Sequence, residues 1–210
     1  MKRILCLILT LALLVTALVS CGGDDLPDIY RLAKELNPTR VVTAVEYKDA
    51  NGEKLTGLYD LQTDGVNSIF TFEYDRYLTA EEIIALGKPE KTTVESGTVY
   101  TKDGKVSYDG AVWTAPAVPT DIQLNLDPEL LTNAVISEDG KTLTAEITPE
   151  NSEAVIGSTL SAVGNITLTA KTNGTYFTEL SLSCTTIEGA TRLMRTSYSR
   201  NVIELEFPNG

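Results

Sequence analysis

Ser68-Ile69-Phe70-Thr71-Phe72-Glu73-Tyr74-Asp75-Arg76-Tyr77 is the stretch that decides the fold class. Phe70, Phe72 and Tyr74 share one side of an extended chain, and Thr71, Glu73 and Asp75 share the other. Such alternation is the signature of a half-buried β-strand. Its neighbours read the same way. Arg40 to Lys48 is rich in β-branched residues, and Lys54 to Gln62 sets Leu55, Gly57, Tyr59 and Leu61 on one side. Asp49-Ala50-Asn51-Gly52 joins these two, with Asn-Gly as a hairpin turn. Thr63-Asp64-Gly65 then turns the chain into Ser68 to Tyr77.

Downstream the pattern repeats. Strands are expected over Thr93 to Thr101, Lys105 to Tyr108, Val112-Trp113, Val135 to Ser137, Lys141 to Thr148, Asn165 to Lys171, Tyr176 to Cys184, Arg192 to Arg200 and Val202 to Phe207. Turns fall at Lys102-Asp103-Gly104, Asp109-Gly110, Glu138-Asp139-Gly140 and Asn173-Gly174, and Pro116 and Pro119 mark a loop. Four short helices interrupt the strands. Leu26 to Leu36 has one apolar face, with Pro27 in its first turn, Asp25 as cap and Asn37-Pro38 as its stop. Thr79-Ala80-Glu81-Glu82 has capping-box spacing and opens a helix to about Leu86. Asp127-Pro128-Glu129 starts a short one through Leu131, and Pro149 to Ile156 makes another, capped by Thr148. Hairpin-linked strands with short helices between them imply an antiparallel α+β domain.

The first two dozen residues carry an address. Met1-Lys2-Arg3 is a positive region, Ile4 to Val19 is apolar apart from Thr10 and Thr16, and small residues follow. That is the order of an export signal. The segment ends in Leu18-Val19-Ser20-Cys21, which resembles the bacterial lipobox. The resemblance implies a signal peptide over 1–20, a covalent diacylglycerol on Cys21 and a protein held at the extracytoplasmic face of the cell membrane. Two acyl chains give a stable anchor where one holds only marginally. An uncleaved spanning helix fits less well. The run reaches only the lower limit of about 17 residues, and Asp24 and Asp25 follow it where a basic stop-transfer cluster would stand. Residues 21–25 form a lipidated Cys and a short tether, and 26–210 the folded domain. Gly22 after the lipidated Cys fits outer-membrane delivery or a single-membrane cell.

Charge narrows the partners. The chain carries 17 basic and 29 acidic residues. Cleavage after Ser20 removes Lys2 and Arg3 and leaves a net charge of −14. Nucleic-acid binding needs clusters of Lys and Arg, so no nucleic acid is expected. An anionic bilayer would repel this surface, so the lipid does the holding. Of the three cysteines, Cys6 leaves with the signal and Cys21 is lipidated, so Cys184 has no intramolecular partner. It lies on the apolar side of Leu180-Ser181-Leu182-Ser183-Cys184 and reads as a small buried hydrophobe.

An N-terminal helix, a long antiparallel meander and short interrupting helices together resemble the LolA-like superfamily of exported lipid-handling proteins, including the LppX and LprG type lipoproteins. The turn-rich stretch Gly97 to Trp113, with Lys102-Asp103-Gly104-Lys105 between Tyr100 and Tyr108, is similar to their hairpins. The resemblance implies a curved antiparallel sheet, a half-barrel, with the N-terminal helix and short helices packed on its concave face around an apolar cavity.

Catalytic chemistry has little to work with. The chain has no His, which removes the commonest zinc ligand and the usual general base. Gly-x-Ser-x-Gly and a phosphate-binding Gly-rich loop are absent. Glu73 and Asp75 share a strand side and have the residue types of a glycosidase pair, but alternating acids on a solvent face are commoner. Asp49-x-Asn51-Gly52-Glu53 lacks the closing ligands of a calcium loop and reads as a plain turn. No metal, cofactor or enzymatic activity is expected. The first expectation is a lipoprotein that binds a lipid or apolar ligand, lined by Leu32, Leu36, Phe70, Phe72 and Trp113. The second is an accessory or sensory lipoprotein that docks an envelope protein through a strand edge or its acidic surface.

Overall fold

A computed structural model describes residues 26–87, 92–114, 124–201 and 203–208. The export signal, Cys21, the tether, Pro89, Pro116, Pro119 and Val202 lie outside the described residues. Ten strands form one antiparallel sheet: β1 (Arg40–Lys48), β2 (Lys54–Thr63), β3 (Ser68–Tyr77), β4 (Thr92–Lys102), β5 (Lys105–Ser107), β6 (Thr132–Ile136), β7 (Thr142–Ile147), β8 (Ile166–Thr172), β9 (Phe177–Thr185) and β10 (Thr191–Ser199). Among the described residues three α-helices accompany them: α1 (Asp28–Lys34), α2 (Ala80–Leu86) and α3 (Ser152–Ile156). The strand order is β5-β4-β3-β2-β1-β10-β9-β8-β7-β6. One meander therefore runs outward from β1 to β5, and a second runs inward from β6 to β10. They meet where β1 pairs with β10, in register from Arg40 opposite Ser199 to Lys48 opposite Thr191.

Local chemistry sets the hairpins. Asp103 and Gly104 both have positive φ, 52° and 73°, in the two-residue turn between β4 and β5. Paired positive φ values match the twist of the flanking strands. At the β1–β2 turn, Gly52 sits at φ 87° and the Asp49 carboxylate accepts N–H groups from Asn51 and Glu53. These bonds hold the Asp49 carboxyl below its ordinary range. The capping box at α2 is complete. Glu82 N–H donates to the Thr79 hydroxyl, and Thr79 N–H donates to the Glu82 carboxylate.

Five elements differ from expectation. The strand expected at Val112-Trp113 is not formed, and only Thr114 makes an isolated bridge to Val106. The short helix begun at Asp127 is a 3₁₀ turn over Pro128–Leu130. Pro27 is the residue before α1 rather than part of its first turn, and Arg31 braces that helix through Asp28 and Glu35. Residues 149–156 split into a 3₁₀ turn (Pro149–Asn151) and α3. Thr148 makes no side-chain cap there. Instead the buried Ser152 hydroxyl donates to Pro149 C=O and accepts Leu160 N–H. The expected last strand is absent: residues 203–208 join no sheet. The reason is topological. β10 has β1 on one side and β9 on the other, so no vacancy lies beside it for the chain that follows.

The buried core occupies one half of one sheet face. Leu143, Ala145, Ile166, Leu168, Leu180 and Leu182 point into it from β7, β8 and β9. Ile29, Tyr30 and Ala33 of α1, Leu124, Leu126 and Leu131, and Val155 of α3 cover them. Cys184 is buried at its edge, where burial pushes its thiol pKa up. Of the short helices expected against the sheet, α1 and α3 bury side chains here and α2 buries none. Ile84 of α2 is 80% exposed. On the β1–β4 half of the same face, almost every side chain is only half-buried.

This asymmetry predicts unequal costs of truncation. Leu168→Ala should lower unfolding free energy by about 2–5 kcal/mol, the range for a sealed core. Phe72→Ala should cost less than half as much. Urea titration of both variants checks the ratio.

Candidate functional site

Register alone assembles the site. β2 opposes β3 with Gly57 facing Tyr74, Tyr59 facing Phe72 and Leu61 facing Phe70. β1 adds Val41, Thr43 and Val45 opposite Leu61, Tyr59 and Gly57. Opposed residues share a sheet face, so the alternation read in β3 extends across three strands. The result is an aromatic strip. Tyr59 stacks on Phe70 and on Tyr74 with centroids 6.3 Å apart in each case. Phe72 lies 6.0 Å from Phe70 and 5.9 Å from Tyr74. These separations are within the favourable range for aromatic pairs.

Two glycines let the rings lie along the sheet. A Cβ at Gly97 of β4 would come within 2.7 Å of the Phe72 ring. A Cβ at Gly57 would meet the Tyr59 ring at 3.1 Å and Tyr74 at 3.2 Å. Gly inside a strand commonly marks such a close approach. Above Gly57 is a shallow apolar cleft of about 120 Å³, with Val45, Tyr47, Leu55, Tyr59 and Tyr74 around it.

The strip has defined borders. Toward the core, the Thr43 and Thr196 hydroxyls bond to each other at 3.0 Å. Toward α2, the Arg76 guanidinium donates to Glu82 and Glu95 at 2.7–2.9 Å. Arg76, followed by the Thr79 N–H, holds the Glu82 carboxyl down to about 2. Burial, then the hydrogen bond and charge of Glu95, raise the Tyr74 phenol above its ordinary value.

The opposite face has another character. A recess there of about 230 Å³ has Glu46, Thr56, Leu58, Glu73, Asp75 and Arg195 in its walls. Asp75 accepts the N–H and hydroxyl of Thr56, and Lys54 pairs with Glu46. The Asp75 and Glu46 carboxylates are thus engaged in ordinary cross-strand contacts. Among the described residues no cluster of metal-ligating side chains forms, and no helix is long and apolar enough to cross a membrane.

The five expected lining residues fall in three places. Phe70 and Phe72 are neighbours in the strip. Leu32 is buried on α1 at 2% exposure, and Leu36 packs against the core. Trp113 is remote from both. Its indole N–H donates to Gly110 C=O, and its ring lies 6.4 Å from Phe207. Phe207 also meets Tyr100 and the Lys102 ammonium. The unpaired C-terminal segment thus packs on the end of β4, away from the strip. Sequence reasoning set Tyr74 beside the two phenylalanines without choosing it as lining, and it left out Tyr59 as their partner across β2. The isolated strand glycines Gly57 and Gly97 were the available signal.

The chain is similar to a LolA superfamily protein from Nitrosomonas europaea. That solved structure shares 13% identity over 84% of this chain and 94% of its own, at a TM-score of 0.32. No family model matches the chain, and no curated protein matches it. The sheet described above follows from this chain's own strand order and register.

Two outcomes are expected. Glu82 titrates lower in the folded chain than its unfolded value of about 4.3, so its stabilising tie to Arg76 and Thr79 is complete above that pH. The tie is lost as pH falls toward about 2. Amide exchange at Thr79–Glu82 should accelerate across that window, and in Glu82→Gln it should be fast and pH-flat after correction for intrinsic rates. Gly57→Val should fill the cleft and displace Tyr59 and Tyr74. Near-UV circular dichroism should then lose tyrosine signal while the far-UV spectrum stays unchanged.

Proposed function

We propose that this chain is a membrane-anchored, extracytoplasmic lipoprotein that binds an apolar or lipid-like ligand on the aromatic strip of β2 and β3 and catalyses no reaction. The observation that supports this reading is the strip itself. Four aromatic rings lie only partly buried on the sheet face whose other half is a sealed core. Clustered apolar surface that helices leave partly uncovered is where binding sites commonly form. The flat rings offer area with little rotamer entropy to lose, and each ligand methylene moved onto them contributes about 0.8 kcal/mol. The phenols of Tyr59 and Tyr74 supply polar ends for a headgroup or ester.

The anchor belongs to the same reading. A diacylglycerol on Cys21 would hold the domain by a tether of four residues, at most about 14 Å when extended. The strip would then work close to the bilayer. Leu36 and Trp113 are not needed as lining, and Phe70 and Phe72 are.

Native mass spectrometry of residues 24–210 made in a bacterium tests the ligand. A discrete added mass that extracts into organic solvent is expected, and Phe72→Glu should reduce its occupancy at least tenfold. A bare mass that takes up no added phospholipid would overturn lipid binding and favour docking of an envelope protein. Metabolic labelling with a palmitate analogue tests the anchor: label should appear in the full chain and vanish in Cys21→Ala.

A further inference from the structure

The two edges of the sheet are built differently. β6 is five residues long, carries a bulge between Thr132 and Val135, and places Asn133 at φ 52°. Those devices blunt an edge against further pairing. β4 is eleven residues long, yet β5 pairs only with Tyr100–Lys102. Among the described residues, nothing pairs with the outer side of Thr92 to Val99. That stretch, Thr92-Thr93-Val94-Glu95-Ser96-Gly97-Thr98-Val99, has no Lys, no Pro and no bulge.

Hydrogen-bond alternation fixes which groups are free. Thr63 N–H donates to Thr39 C=O, and Asp64 N–H donates to Asn67 C=O. Counting alternate residues from these bonds through the registers turns Thr93, Glu95, Gly97 and Val99 toward β3. The N–H and C=O groups of Val94, Ser96 and Thr98 point outward. The Val94 side chain is 59% exposed.

We infer that this edge of β4 pairs with β4 of a second copy of the chain, antiparallel about a two-fold axis at Ser96. The strand is self-complementary in that register. Ser96 faces Ser96 of the second copy, Val94 faces Thr98, and Thr93 faces Val99. Glu95 faces Gly97, so the two carboxylates do not oppose each other. A two-fold one residue earlier would set Glu95 against Glu95, and like charges directly opposed destabilise a strand pair. Arg76 already neutralises each Glu95 from within its own chain. Three residue pairs exchange main-chain bonds before β5 blocks the strand at Tyr100. The interface is isologous, as a two-fold requires. It leaves the aromatic strip uncovered and is independent of ligand binding there.

Cysteine cross-linking of the full chain in membranes reads the register. Ser96→Cys should form a disulfide-linked dimer on mild oxidation, because directly opposed strand residues have Cα atoms about 5.5 Å apart. Val94→Cys and Thr98→Cys should each stay monomeric alone and cross-link when co-expressed. Equal cross-linking by all three single variants, or none by Ser96→Cys, would overturn the pairing. The unmodified full chain gives a second measurement that needs no variant. Exchange of the Val94, Ser96 and Thr98 amides should slow with rising protein concentration. Protection that is the same at every dilution would sink the inference.

Discussion

Nine opposed residue pairs between β1 and β10 hold this molecule in one sheet. Every other strand ladder joins neighbours in sequence, across a turn or a connection that carries a short helix. The β1–β10 ladder alone joins residues some 150 positions apart, from Arg40 with Ser199 to Lys48 with Thr191. Loop-closure entropy grows only logarithmically with such a span. Its hydrogen bonds, the Thr43–Thr196 hydroxyl pair and the packing of Val41 and Met194 against the core work against that cost. The remaining constraints follow from it. β10 cannot be followed by another strand, α1 must reach β1 from over the second meander, and both meanders must grow outward.

Periodicity and turn chemistry are short-range, so the sequence resolves what they govern. β1 and β3 have the ends expected from alternation, and α2 has the ends expected from its capping box. Asn51-Gly52, Asp103-Gly104 and Asn173-Gly174 sit at the turns they signal. Vacancy beside a strand is set by the whole sheet, so Ile203, Leu205 and Phe207 alternate like a strand but cannot pair with the strand they follow. Cover is also a property of the whole. Phe70, Phe72 and Tyr74 are as apolar as Leu180, Leu182 and Cys184, and only the placement of α1 and α3 makes one row core and the other open. That is why Leu32 and Phe72 read alike in sequence and separate in space.

The strip depends on what β2 and β4 omit as much as on what β3 supplies. A side chain at position 57 or 97 would lift the rings away from the sheet. With glycine there, the rings lie over the backbone and expose their faces. The strip's rim is polar, since the Arg76 bridge to Glu82 and Glu95 is partly exposed to water.

The central position of the last strand also bears on how the chain comes into being. Synthesis proceeds from the N-terminus at about 5–20 residues per second, and domains tend to fold as their segments emerge. The β1–β5 meander emerges first, and it has no sealed core of its own. β10, the strand that couples it to one, is the last of the ten to emerge. Until it does, the aromatic surface waits beside a half that is not yet attached to it. A chain truncated anywhere before Thr191 would keep that surface and lose its attachment to the rest. Such fragments should be the species that proteases and chaperones meet.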